Sequence, residues 1–114
     1  MNRFLLGLML VGLMSATNKD VYQTGTASYY ANKFEGRKTA SGEIFRQDSL
    51  TAAHKTLPFG TMLKVTNLSN DSVVIVKVND RIGTYSRVID LSLKAAQQLN
   101  FVKKGLTKVS LEKI

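Results

Sequence analysis

From Val21 onward the chain sets short runs of apolar and β-branched residues between turn-forming clusters, the pattern of a protein built from strands. Residues 24–30, rich in Thr and Tyr and interrupted by Gly25, predict a first strand. Residues 61–68 and 72–79 predict two more, joined through Ser69, Asn70 and Asp71, whose side chains favour a tight turn. The second of these reads Val73-Val74-Ile75-Val76-Lys77-Val78, nearly continuous in apolar residues, so it is expected to be buried on both faces. It runs straight into Asn79 and Asp80, and a rigid core strand thereby delivers a carboxylate at its own end. Residues 88–91 predict a short strand. Ser92 is a good N-cap for a helix over 93–99, in which Leu91, Ala95, Ala96 and Leu99 share one core-facing side. After Gly105, residues 107–113 predict a last strand with Val109 and Leu111 pointing one way. Between the first and second strands, residues 31–58 carry Gly36 and Gly42 and little regular period, which predicts functional loops with short strand or helical pieces. Many short strands, one short helix and no repeat or long linker give a mainly β fold, a small closed barrel.

The N-terminal stretch stands apart from this pattern. Arg3 precedes an apolar run from Phe4 to Met14, followed by Ser15 and Ala16, the layout of a secretory signal peptide over residues 1–17 with cleavage after Ala16. The run is short for a membrane span. With no Cys anywhere, the exported domain, residues 21–114, is expected to be free of disulfides and not lipid-anchored. One His and no Cys also leave no plausible zinc or iron–sulfur ligand set, so neither a metal nor a cofactor is expected.

The formal net charge of the 114-residue chain is +8, and the basic residues are spread along it, with pairs at Arg37-Lys38 and Lys103-Lys104. An exported basic domain is drawn to anionic polymers, of which the cell wall is the nearest. Nucleic acid is a poor second, since no basic stripe interleaved with aromatics is present. The same charge also suits a merely solvated surface.

Candidate chemistry gathers in three stretches: Thr39-Ala40-Ser41-Gly42-Glu43, Ala52-Ala53-His54-Lys55-Thr56-Leu57-Pro58-Phe59-Gly60 and Asn79-Asp80-Arg81. They hold two carboxylates and the one histidine. Such a pair suits glycosidic cleavage, in which one carboxyl protonates the leaving acetal oxygen while nearby negative charge steadies the oxocarbenium ion. His54 either donates a hydrogen bond that orients a carboxylate or a sugar hydroxyl, or packs to hold its loop. Arg81 either binds glycan beside Asn79 or pairs with Asp90, and Asp90-Leu91-Ser92 reads as a turn and helix cap. The lack of a nucleophile elbow around Ser92 argues against a Ser-His-Asp hydrolase. Tyr29, Tyr30 and Phe34 suit either sugar stacking or the core.

Taken in order, Gly25-Thr26-Ala27-Ser28-Tyr29-Tyr30, Phe34 to Glu43, Thr51 to Thr61, Val65-Thr66-Asn67-Leu68, Val78-Asn79-Asp80-Arg81 and Arg87-Val88-Ile89-Asp90-Leu91-Ser92 resemble the signature of the RlpA-like (rare lipoprotein A) proteins. The resemblance implies a six-stranded double-psi β-barrel with one or two short helices. It implies an endolytic peptidoglycan lytic transglycosylase that cuts between N-acetylmuramic acid and N-acetylglucosamine, leaves a 1,6-anhydro end and prefers strands lacking stem peptides. The family's catalytic residues fall on Asp80, Glu43 and His54, with Asp80 giving and then taking a proton while Glu43 stays ionised, or the reverse. Asn79, Arg81, Tyr30, Thr39 and Ser41 are then expected to contact glycan. The implied partner is the peptidoglycan strand, the implied address the periplasm or cell envelope, and the implied state a monomer. The alternative is a non-catalytic, expansin-like or division-associated glycan-binding module. The chain departs from the family after Arg81, where Ile82-Gly83-Thr84-Tyr85-Ser86 replaces a Gly-Pro-aromatic turn and is one residue shorter. A turn without proline is freer, and sugar contacts there are expected to differ.

Overall fold

The computed structural model describes residues 20–114; the expected signal peptide lies outside them. Six strands are present: β1 (Gln23–Tyr29), β2 (Thr51–Ala53), β3 (Met62–Asn67), β4 (Val73–Asp80), β5 (Ile89–Leu91) and β6 (Thr107–Lys113). One 3-10 turn, Asn32–Phe34, follows β1, and one helix, α1 (Leu93–Gln98), follows β5. The strands close into a barrel in the order β1-β5-β2-β4-β3-β6. Two of the pairings, β1 with β5 and β2 with β4, are parallel, and the others are antiparallel. Closure leaves no sheet edge to pair with another chain.

The interior is filled by alternate residues of the long strands: Leu63 and Val65 from β3, Val74, Val76 and Val78 from β4, and Val109 and Leu111 from β6. Ala27, Ile89 and Leu91 complete it from β1 and β5, and α1 lays Ala95 and Ala96 against it beside Leu99 and Phe101. Ser92 caps α1, its hydroxyl accepting from the Ala95 amide at 3.3 Å. The hairpin from β3 to β4 turns at Asp71, whose φ of 64° is the left-handed conformation that Asp tolerates better than most residues.

One expectation needs correction. β4 is buried on one face only: Val73 and Ile75 are 44% and 36% exposed, because both sit on the outer surface of a barrel with nothing packed over them. Residues 51–53, in the region expected to hold loops with short strand pieces, form such a strand and join β4 to β5. Thr-Ala-Ala has no β-branched aliphatic run to announce it; its two neighbours supply the hydrogen bonds that make it extended.

Candidate active site

Along β1 and β5 the residues between the core positions face outward, and Ser28 lies beside Asp90 in register. Asp90 is in turn the partner of Ala53 across the β2–β5 pair, and Ala53 is the partner of Asp80 across the β2–β4 pair. One row therefore runs Ser28, Asp90, Ala53, Asp80 over four neighbouring strands. All four line a single groove of about 280 Å³, whose walls include Tyr30, Phe34, Arg81 and Arg87. The two aspartates stand two strand spacings apart, roughly 10 Å between Cα atoms, with the small side chain of Ala53 as the floor between them.

Each carboxylate is held by donors. Asp80 accepts from the Tyr30 hydroxyl at 2.6 Å, the Ala40 amide at 2.8 Å and its neighbour Arg81's amide at 2.9 Å. Asp90 accepts from the Ser28 hydroxyl and from Arg87 twice, Nε at 2.7 Å and Nη2 at 3.2 Å. That bond raises the Arg87 pKa further above its usual value, so the guanidinium stays charged. Burial, then the bond to Asp80, pushes the Tyr30 phenol far above its ordinary range, leaving it a permanent donor.

Glu43 is placed elsewhere. The turn from Thr39 to Glu43 lies over the end of β4, with the Ser41 amide donating to the Asn79 carbonyl at 3.2 Å. Ala40 thus reaches Asp80, while the Glu43 carboxylate turns to the other side and accepts from Lys77 Nζ at 2.8 Å and Asn79 Nδ2 at 3.1 Å. The Lys77 bond, then the Asn79 bond, lowers its pKa, so it is a carboxylate at neutral pH. Glu43 lines a neighbouring depression with Ser41, Phe59, Gly60, Lys77 and Asn79, and the structure does not bring it into the groove of Asp80. The wall shared by the two depressions is a stack: the Arg81 guanidinium lies 4.1 Å from the centroid of the Phe59 ring.

His54 reaches neither acid. The residue is 2% exposed; Nδ1 accepts from the Thr56 and Leu57 amides at 3.1 and 3.2 Å, which leaves Nε2 to donate to Gln23 Oε1 at 2.8 Å. Burial first, then the charges of Arg81 and Lys55, lower its pKa, and it is neutral. Of the two readings open from the sequence, the packed histidine matches this geometry. Its backbone does matter to the site, for its amide donates to the Asp80 carbonyl at 3.1 Å and fixes the end of β2 against β4.

The remaining expected contacts divide. Tyr30 and Arg81 line the Asp80 groove, and Ser41 and Asn79 the Glu43 depression. Thr39 is a correction: it is buried, its hydroxyl donating to the Glu43 carbonyl at 3.0 Å, so it shapes the turn instead of facing a ligand. Arg81 does not pair with Asp90, which Arg87 already occupies. Tyr29 is half-buried against the core, with its hydroxyl on the Val102 carbonyl at 2.8 Å, and also lines the groove, as does Phe34, which stands edge-on to Tyr30. From the sequence, Asp90 was not placed in the groove. Its position two after Val88 in an alternating run marks it as outward-facing, but only the register of β5 against β2 puts it opposite Asp80.

A closed six-stranded barrel with these two parallel pairs is a double-psi β-barrel. Residues 22–111 match the family model described as lytic transglycolase, and the chain belongs to that family. It is 49% identical over 105 residues to the probable endolytic peptidoglycan transglycosylase RlpA of Treponema pallidum, covering 90% of this chain and 33% of that one. It is 50% identical over 99 residues to the endolytic peptidoglycan transglycosylase RlpA of Rickettsia bellii, covering 82% of this chain and 43% of the relative. The chain thus spans about a third to two fifths of the length of these relatives. Among solved structures, the Streptomyces papain inhibitor superposes with a TM-score of 0.65 at 22% identity, covering 82% of this chain and 96% of that one. The Clavibacter michiganensis expansin does so at 0.64 and 24%, covering 80% and 49%. Both share the fold.

Proposed function

We propose that this domain is a lytic transglycosylase of peptidoglycan, acting in the periplasm or cell envelope on the bond from N-acetylmuramic acid to N-acetylglucosamine. The observation that carries the reading is the row of Asp80, Ala53 and Asp90, two fixed carboxyl groups on either side of a small floor in one open groove. The groove lies near the lower end of the roughly 300–1,000 Å³ that ligand clefts span, so it takes a short part of a strand and leaves the polymer to run past it.

In the proposed reaction Asp80 donates its proton to the glycosidic oxygen as the bond to the muramic anomeric carbon breaks. Asp90, held by Ser28 and Arg87, supplies the fixed negative charge that faces the oxocarbenium ion, the role that the sequence assigned to Glu43. The muramic 6-hydroxyl then attacks the anomeric carbon and returns a proton to Asp80, giving a 1,6-anhydro end without water. Glu43 and Lys77, in the adjoining depression, contact the strand beyond the scissile bond. Strands stripped of stem peptides are the expected substrate.

Incubating the purified domain with peptide-free glycan and looking for anhydro-muramic ends by mass spectrometry tests the reading. Product from the wild type, and its loss in Asp80→Asn and Asp90→Asn, supports it. Binding to sacculi that weakens with salt, with no anhydro product, would instead support the expansin-like alternative.

A further inference from the structure

The groove holds two arginines, and only one of them is neutralised. Arg87 is bound through Nε and Nη2 to Asp90, whereas Arg81 makes no ion pair among the described residues. The hydrogen bonds of its guanidinium to described residues leave from Nη1 alone, to the carbonyls of His54 and Asp80 at 3.4 Å each. The Nε–Nη2 edge, the fork that takes a carboxylate side-on, is therefore without a protein acceptor. The plane of that fork is nonetheless fixed, because the guanidinium lies on the Phe59 ring at 4.1 Å and Nη1 is tethered to two backbone carbonyls. A long cationic side chain left free would sample many rotamers; this one is stacked on Phe59 and shares the groove with Asp80.

On the reading above, the ligand is a glycan of N-acetylglucosamine and N-acetylmuramic acid. Its sugars carry one ionisable group, the lactyl carboxyl on the muramic ring, which is a carboxylate when the stem peptide is absent and a neutral amide when the peptide is attached. We infer that Arg81 is the specificity-determining residue of the groove: its free edge binds the lactyl carboxylate of a peptide-free muramic acid, and so selects stripped strands by charge. The inference rests on the proposed substrate and names the contact that reads it. An amide in that place offers one neutral acceptor to a charged fork and adds a bulky chain against Phe59, so it is disfavoured twice.

The test uses peptide-free glycan in two forms, the native acid and the same strands with lactyl carboxyls converted to N-methylamides by carbodiimide and methylamine. Charge-assisted hydrogen bonds of this kind shift affinity or rate by about tenfold to a hundredfold. The wild type should turn over acid strands more efficiently than amide strands by that factor. Arg81→Gln should fall further on acid strands than on amide strands, so that the preference collapses to within about twofold, and Arg81→Lys, which keeps charge but not the fork, should recover part of it. A preference that survives in Arg81→Gln, or a loss equal on both substrates, overturns the inference. If the wild type gives no anhydro product at all, the proposed function fails instead. The inference is then decided by calorimetric binding of acid and amide oligomers to the wild type and to Arg81→Gln: discrimination that vanishes with Arg81 sustains it, and none in the wild type ends it.

Discussion

Tyr30→Phe isolates the hydrogen bond that orients the proposed acid. The hydroxyl donates to Asp80 Oδ2 at 2.6 Å, while the other donors to that carboxyl, the Ala40 and Arg81 amides, both sit on Oδ1. Oδ1 thus stays anchored in the variant and Oδ2, the oxygen left to carry a proton to the substrate, loses its fixed partner. A hydrogen bond to a charged group is worth about 1.5–3 kcal/mol, and the lower figure applies here because water reaches an open groove and two anchors remain. At about 1.4 kcal/mol per decade the expected fall is about tenfold in kcat. The ring is unchanged, stacked on Phe45 at 4.1 Å and edge-on to Phe34 at 5.8 Å, so KM and the melting temperature should stay put. The assay is initial release of anhydro ends from peptide-free glycan, read with thermal unfolding of the same samples. A kcat within twofold of wild type would show that the hydroxyl orients nothing the reaction uses, and a raised KM with unchanged kcat would make Tyr30 a sugar platform instead.

Glu43→Gln should leave the melting temperature within about 2 °C, since the Lys77 pair is exposed, and should lower turnover less than tenfold, against the hundredfold or more expected for Asp80→Asn; equal losses would return Glu43 to the chemistry. His54 is neutral and its pKa lies below the ordinary 6.5, so the unfolded chain binds the extra proton first: stability should be level above that pH and fall below it, by at most about 1.4 kcal/mol per pH unit, and His54→Gln should lose this acid sensitivity in melts between pH 7.5 and 5. Gly25→Ala should cost about 1–3 kcal/mol in urea unfolding, because the new Cβ would run into the Val88 methyls, and Val88→Ala in the same chain should restore most of it.

How much of this was legible depended on whether the signal was local. The long strands β1, β3, β4 and β6 were, to within a residue or so, because each is a run of six to eight β-forming residues bounded by turn-forming ones, and the Ser92 cap was, because an N-cap acts within one turn. The one-sided burial of β4 was not, since Val73 and Ile75 are as apolar as their buried neighbours and only the absence of a covering layer sets them apart. Asp80 was found because a carboxylate at the end of an apolar strand is visible in one dimension. Asp90 was read only as part of a turn and helix cap, because its pairing partner, Ala53, is 37 residues away in a strand that has no propensity signature of its own. His54 sat inside the right motif, yet its ring serves the loop and only its backbone serves the site.

The groove itself depends on one irregularity. Along the parallel pair of β2 and β4, Ala52 faces Val78, but Ala53 faces Asp80, so Asn79 is left over as a bulge. In an unbroken register Asn79 would stand beside Ala53, and Asp80 would follow Val78, two residues before it, toward the barrel interior. The extra residue rotates the strand end by one place and sends the carboxylate to the outer face, where Asp90 and Ser28 already point. It also accounts for Asn79, buried at 3% exposure with Nδ2 on Glu43 and its carbonyl accepting from Ser41: the bulged residue ties the 39–43 turn down over the strand end, and that turn then presents the Ala40 amide to Asp80. A carboxylate that the strand's own period would have hidden in the core is thereby turned out, anchored by three donors and set across a single alanine from its counterpart.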